Sequence, residues 1–338
     1  MSAKPSNHAK PWHHTASGFR NPPGSRHMTP DAGTYWRFIG RMLRNARKPQ
    51  VLPPGHALSA DEALAGWRAL EGQGPALMWL GHAAFLLRLG GKTVLLDPYL
   101  GEEAGPVRGM SPKRFVAPGL TPETLPPIDV VAISHNHYDH LCTDTLKRLP
   151  NRAGISMVVP LKLGAFFKPY GFGQVIELDW HDRHEADGLA ITALPAVHWS
   201  KRTAFDANRS LWAGFALAGE GQKLCFTGDT AYHETLFREI GERHGPFDHA
   251  LVPIGAYEPR AIMAGHHANP EEGVALGRDL GARRLVAMHW GTVMLTDEPP
   301  FEPPGRFRQA ARDAGYAEED AWVMRIGETR LLTPRPTN

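Results

Sequence analysis

Residues 129–141 read DVVAISHNHYDHL. A continuous apolar run, as expected of a buried strand, opens directly onto His135, His137, Asp139 and His140. Histidines at i and i+2 point the same way while the chain is extended. Asp139 and His140 lie past the strand, where a tight turn aims them at a second point nearby. Imidazole and carboxylate are ligand types for zinc, iron and manganese. One ion needs three or four ligands, so four groups crowded here point to two ions.

A two-metal site needs further ligands, and strand ends are where to look. Three other segments repeat the design of apolar run, ligand, loop: ALPAVHWS ends at His198, KLCFTGDT at Asp229 and RLVAMHWG at His289. Gly228 precedes Asp229 and permits close backbone approach, and Gly291 lies just beyond His289. The expected assignment places His135, His137 and His198 on one ion. Asp139, His140 and His289 hold the other, and Asp229 bridges. The ligand types suit two Zn²⁺ per chain, with iron and manganese equally compatible.

Around these motifs the chain divides in two. Residues 1–72 form an arm and a basic helix, and residues 73–338 form the hydrolase domain. The Pro-, Gly- and His-rich segment 1–33 reads as extended, with His8, His13, His14 and His27 solvated. Residues 34–48 have helical periodicity. Trp36, Ile39, Leu43 and Ala46 share one face; Arg37, Arg41, Arg44 and Lys48 share the other. Such a helix lies on an anionic membrane or docks on its own domain. A second helix is expected from Ser59, a good N-cap. From residue 76, twelve short apolar or alternating runs read as strands, with helices near 143–149, 161–168, 231–243, 270–280 and 306–314. Runs of strands followed by alternating strands and helices predict two sheets with helices outside them.

Composition excludes several classes. The longest apolar runs are too short to span a bilayer, and the N-terminus lacks the apolar core of a signal peptide. A net charge of +2 gives no electrostatic case for nucleic acid. Cys142 and Cys225 lack metal-ligand spacing and read as buried small hydrophobes. A cytoplasmic setting is expected, with peripheral contact to the inner face of the membrane.

The His-x-His-x-Asp-His pattern with later single His, Asp and His ligands resembles the metallo-β-lactamase superfamily, whose αββα sandwich carries binuclear hydrolases. PPIDVVAISHNHYDHL, VIELDW, HWSKRT, GDTAYH, GPFDHALVPIGAYEPR, NPEE and MHWGT are similar, in the same order, to segments of its N-acyl-phosphatidylethanolamine-hydrolysing phospholipase D branch. The resemblance covers roughly residues 75–330 and implies an α/β fold of two mixed sheets with outer helices. It implies hydrolysis of N-acyl-phosphatidylethanolamine to N-acylethanolamine and phosphatidic acid by a metal-bridging hydroxide. Asp139, Asp229 and His267 would act in catalysis. Asp97, ending the run LLDPY, would orient a ligand from behind. The branch has Gln-His before its Asp-Pro-Glu-Glu; here His266 stands in the Gln position and His267 matches the His. Tyr138, Lys201, Arg202, His266 and Tyr257 are expected to meet substrate, while Glu258 and Arg260 pair to shape their loop. The expected partners are a phospholipid, a membrane surface and a second copy of the chain as a homodimer. The alternative function is hydrolysis of a small soluble substrate such as a cyclic phosphodiester, lactone or lactam.

Overall fold

The computed structural model describes residues 11–46 and 48–333. Two mixed seven-stranded sheets pack face to face. The first uses β1 (Ala76–Gly81), β2 (Ala84–Leu89), β3 (Lys92–Leu96), β4 (Val130–Ala132), β5 (Ser156–Pro160) and β6 (Gln174–Leu178) in sequence order. The second uses β7 (Arg183–Ala186), β8 (Leu189–Leu194), β9 (Gly214–Gly219), β10 (Gln222–Phe226), β11 (His249–Pro253), β12 (Arg284–Met288) and β13 (Ala321–Trp322). A last strand, β14 (Thr329–Leu331), crosses back to pair antiparallel with β1. Each sheet begins as an antiparallel meander and continues parallel, from β3 to β6 in one and from β10 to β13 in the other.

The period-two pattern explains the layering. In the first sheet Leu77, Trp79, Phe85, Leu87, Val94 and Leu96 face the second sheet, in one shared core. Their neighbours Met78, Leu80, Ala84, Leu86 and Leu95 face outward into a separate cluster. That outer face is covered by Ala63 and Trp67 of α2 (Ala60–Ala69) and Leu146 of α3 (Thr143–Arg148). Ser59 caps α2 in a reciprocal capping box with Glu62. The second sheet is covered by α4 (Leu236–His244), α6 (Pro270–Asp279) and α7 (Pro303–Asp313), and the four-residue α5 (Arg260–Met263) lies in the loop after β11. Both faces of the central strands are thus buried, the edge strands β6, β7 and β14 stay partly exposed, and the polar clusters are left at the strand ends.

Four expectations change. The segment near 161–168 is a 3₁₀ turn over Gly164–Tyr170, since Pro169 cannot continue an α-helix. The helix expected from 231 begins only at Leu236. The N-terminal helix α1 (Ala32–Asn45) packs through Phe38, with Ala46 just past its end, while Trp36 and Leu43 are 68% and 60% exposed. Its packed edge is fixed by Arg41, which holds Asp297 at 2.6 Å, so the apolar stripe is split between core and solvent. His13 is buried and joins His14 on Asp179, so neither is a solvated arm residue; His8 lies outside the described residues. Both cysteines are buried.

Candidate metal centre

The four histidine-loop groups lie just past β4. Asp97, at the end of the neighbouring β3, takes the Ser134 N–H on Oδ1 at 2.6 Å and the Ser134 hydroxyl on Oδ2 at 2.5 Å. The same Oδ2 faces His140 Nδ1 at 2.7 Å. This fixes the imidazole so that Nε2 keeps a free lone pair pointing into the cluster. His198, after β8, is fixed alike: Nδ1 donates to the His266 carbonyl at 3.0 Å. Asp229 follows β10. Gly228 before it has φ 57°, and a Cβ there would stand 2.8 Å from Ser134 Cβ, so only glycine lets these two strand ends meet.

The structure brings all seven ligand-type residues together in two groups. His135 Nε2, His137 Nδ1 and His198 Nε2 converge, with His137 Nδ1 2.8 Å from His135 and 3.2 Å from His198. Asp139, His140 and His289 converge beside them, both imidazole Nε2 atoms lying 3.6 Å from Asp139 Oδ2. Asp229 Oδ2 lies between the groups, 3.0 Å from His140, 3.1 Å from His289, 3.8 Å from His198 and 3.9 Å from His135.

These residues suit a cation. His140 Nε2, His289 Nε2 and Asp229 Oδ1 are buried and make no hydrogen bond. Imidazole nitrogens facing one another at 2.8–3.2 Å need a proton or a metal between them. Burial opposes charge on every group. The carboxylates of Asp229, Asp139 and Asp97 nevertheless hold His140 well above the ordinary imidazole range. His289, also buried, is raised to about 9 by Asp229 and Asp139. With no metal, His140 and His289 hold protons beside the carboxylates, while burial keeps His135, His137 and His198 neutral.

One further residue belongs here. His82, two percent exposed, follows β1 in the segment LMWLGH. Its Nε2 faces Asp139 Oδ2 at 2.8 Å, and its carbonyl accepts the His289 N–H at 2.9 Å. It thus ties together two groups of one metal set. Burial and the neighbouring His289 push it down to about 3, so it is neutral. Its sequence signal was the apolar run ending in histidine that marked His198 and His289. His82 and His289 both hold positive φ, 54° and 64°, backbone strain gathered at the cluster.

The surrounding residues divide. His267 Nδ1 lies 4.0 Å from Asp229, and burial pushes its imidazole down to about 3, so it is neutral. His266 is half-buried, and Lys201 is exposed just past His198. Trp199 stands with its ring 4.4 Å from His137 and 5.9 Å from His266, a wall that sequence reading left unassigned. Three expected substrate contacts sit elsewhere. Arg202 turns inward: Nη1 donates to the Asn136 and Leu141 carbonyls at 2.9 Å each, and the guanidinium lies 3.9 Å from the Tyr138 ring. Tyr138 donates its hydroxyl to the Arg202 carbonyl. The pair therefore braces the histidine loop from behind. Tyr257 is one percent exposed with Arg306 over its ring, so it is part of the interior. The Arg260 guanidinium pairs with Glu272 at 2.7 Å, while the Glu258 carboxylate accepts the Arg260 backbone N–H at 3.0 Å and so shapes the loop through the main chain.

Residues 92–290 match the beta-lactamase superfamily domain. The chain belongs to the metallo-β-lactamase superfamily. It is 39% identical over 267 residues to the N-acyl-phosphatidylethanolamine-hydrolyzing phospholipase D 1 of Caenorhabditis elegans, covering 76% of this chain and 73% of that one. It is 31% identical to a UPF0173 metal-dependent hydrolase of Rubrobacter xylanophilus, covering 75% of this chain and 96% of that one. The sandwich is similar to that of an isothiocyanate hydrolase from Delia radicum gut bacteria, with TM-score 0.60, 20% identity and 75% and 98% of the two chains covered. The protein is a metallo-β-lactamase-fold hydrolase whose His/Asp cluster can bind metal. Among the described residues no helix is long and apolar enough to cross a membrane.

Proposed function

We propose that the protein is a binuclear zinc phosphodiesterase of the phospholipase D type. It hydrolyses N-acyl-phosphatidylethanolamine to N-acylethanolamine and phosphatidic acid at a membrane surface. The observation that carries the two-ion reading is the Asp229 carboxylate oxygen, within 4 Å of imidazoles from both ligand groups. His135, His137 and His198 would hold one ion, Asp139, His140 and His289 the other, with Asp229 between. Such ions lower the pKa of bound water to about 7 and neutralise a phosphodiester's charge. The protein's own residues do the rest. Asp97 and the His266 carbonyl hold His140 and His198 in the ligating tautomer. His267, neutral beside Asp229, offers a hydrogen bond to the phosphoryl group, and the Lys201 ammonium faces its charge. Trp199 walls the site on the His137 side.

The lipid half of the reading rests on the relative's name and on α1. Tyr35, Trp36 and Leu43 are exposed on this helix, and Val107 and Met110 are exposed in the loop whose Lys113 N–H bonds the Ala46 carbonyl. Arg37, Arg44, Lys48 and Arg108 are exposed among them. Apolar side chains ringed by cations suit an anionic bilayer surface. Arg41 ties the helix to Asp297, eight residues past His289 in the loop that leaves the cluster.

The test supplies purified protein with N-acyl-phosphatidylethanolamine vesicles and, separately, with bis-p-nitrophenyl phosphate. Release of N-acylethanolamine, reduced together with vesicle binding by Trp36→Ala with Leu43→Ala, is the expected result. Turnover of the soluble diester alone would reject the lipid substrate in favour of a small soluble one.

A further inference from the structure

A second cluster of ligand-type groups lies away from this centre. We propose that His13, His14 and Asp179 form an additional site for one divalent ion of the zinc type, which fastens the N-terminal arm to the hydrolase domain. The two histidines come from the arm, and the aspartate follows β6. His13 Nε2 lies 2.7 Å from Asp179 Oδ1, and His14 Nε2 lies 2.7 Å from Oδ2. One atom from each residue falls within 4.8 Å of the others, the same closeness that marks the two groups at the centre.

Two imidazoles and one carboxylate are a ligand set suited to zinc or cobalt. The geometry is built rather than incidental. His14 N–H closes a turn onto the Pro11 carbonyl, which sends both adjacent rings toward one carboxylate. His13 is held by stacking on Trp180, with ring centroids 4.3 Å apart, so its orientation is set by packing. Asp179 also accepts the Trp180 N–H at 2.8 Å, which orients the carboxylate in turn. The side chains of His13, His14 and Asp179 are 6%, 16% and 16% exposed. His13 and Asp179 line a cavity of 550 Å³, from which water fills the remaining coordination positions.

The site exists only when the arm is docked, and the arm reaches the catalytic centre. Eight residues past His13, the Asn21 amide pairs with both backbone groups of His198, donating to its carbonyl at 2.8 Å and accepting its N–H at 3.0 Å. Arg26 then meets Glu272 at 2.9 Å. An ion at the start of the arm therefore anchors a strap that grips a proposed ligand of the centre.

The test compares the full-length protein with the double variant His13→Gln, His14→Gln. Glutamine keeps an N–H donor toward each carboxylate oxygen but offers no imidazole lone pair. After dialysis against buffered Zn²⁺, the variant is expected to carry one ion fewer per chain, and added Zn²⁺ slows proteolytic cleavage of the arm in the parent only. Equal ion counts, or equal protection by Zn²⁺ in both proteins, would overturn the proposal and leave a hydrogen-bonded clasp. Repeating the comparison in an Asp229→Asn background separates this site from the centre. The one-ion difference persists there if the arm site is real, whether or not the reading of the catalytic centre survives.

Discussion

The two sheets contribute to the cluster in different ways. The first delivers His135, His137, Asp139 and His140 from one loop past β4, braced beneath by Asp97 of its own sheet and crossed by a single outside support, Arg202 of the β8–β9 loop, on the Asn136 and Leu141 carbonyls. The second delivers His198, Asp229 and His289 from three separate strand ends. Each is steadied by a distant segment: Asn21 of the arm on His198, the Gly228–Ser134 approach at Asp229, and His82 of the first sheet on His289. A loop can hold its ligands ready by local bonding. Dispersed ligands come into register only when the sheets have packed, so their precision is a property of the whole core.

The sharpest way to break this contrast is at its meeting point. Asp229→Asn should lower turnover at least about a thousandfold, since bound metal contributes several kcal/mol to transition-state stabilisation. Metal content and turnover are measured together; activity within tenfold of the parent would remove Asp229 from the centre.

Acidity offers the next largest effect, in metal-free protein. His289 is raised to about 9, so its stabilising contribution is whole below 6.5 and is lost as pH rises through 9. His137 is depressed to about 4 by burial, so its contribution is present above 6.5 and is lost as pH falls through 4. Thermal midpoints of the chelator-treated protein should peak near pH 6.5. The alkaline limb should fall by roughly 3 kcal/mol and disappear on adding Zn²⁺. An alkaline limb unchanged by metal would show that protons and metal do not compete at His289.

Smaller effects separate the two kinds of bracing. Asp97→Ala should weaken metal binding about ten- to a hundredfold, as loss of a carboxylate behind a ligand histidine does. Asn21→Ala removes two neutral hydrogen bonds of about 1 kcal/mol each from arm docking, and with about half of that reaching His198 it should cost about fivefold in affinity. Chelator competition measures both. An Asn21 effect as large as that of Asp97 would mean that the arm, and not the core, holds the second half in place.

Legibility in the sequence follows the same divide. The loop announces itself, because its ligands are adjacent in the chain. His198, Asp229 and His289 were readable because each ends an apolar run. His82 carries that signal too, but with no second ligand nearby it resembles a satisfied core histidine. The strand β7 was missed because RHEA is a short polar edge, and β14 because TRL is too brief for any period to show. Arg202 and Tyr138 illustrate the other failure. Proximity in sequence to a ligand does not tell which way a side chain turns, and here packing turned both inward. The pairing of His13 and His14 with Asp179 spans 166 and 165 positions, and no local pattern carries that information.

The pairing of β14 with β1 has a consequence for synthesis. Residues 329–331 supply the neighbour that β1 lacks when it first emerges from the ribosome. Until then the sheet bearing the histidine loop has an unsatisfied border of amide and carbonyl groups, open to any passing strand. A nascent chain would therefore display four of the seven proposed ion-binding groups long before that border is sealed. Translation pausing between residues 140 and 329 is thus the interval in which this protein is most exposed to mispairing with its neighbours on a polysome.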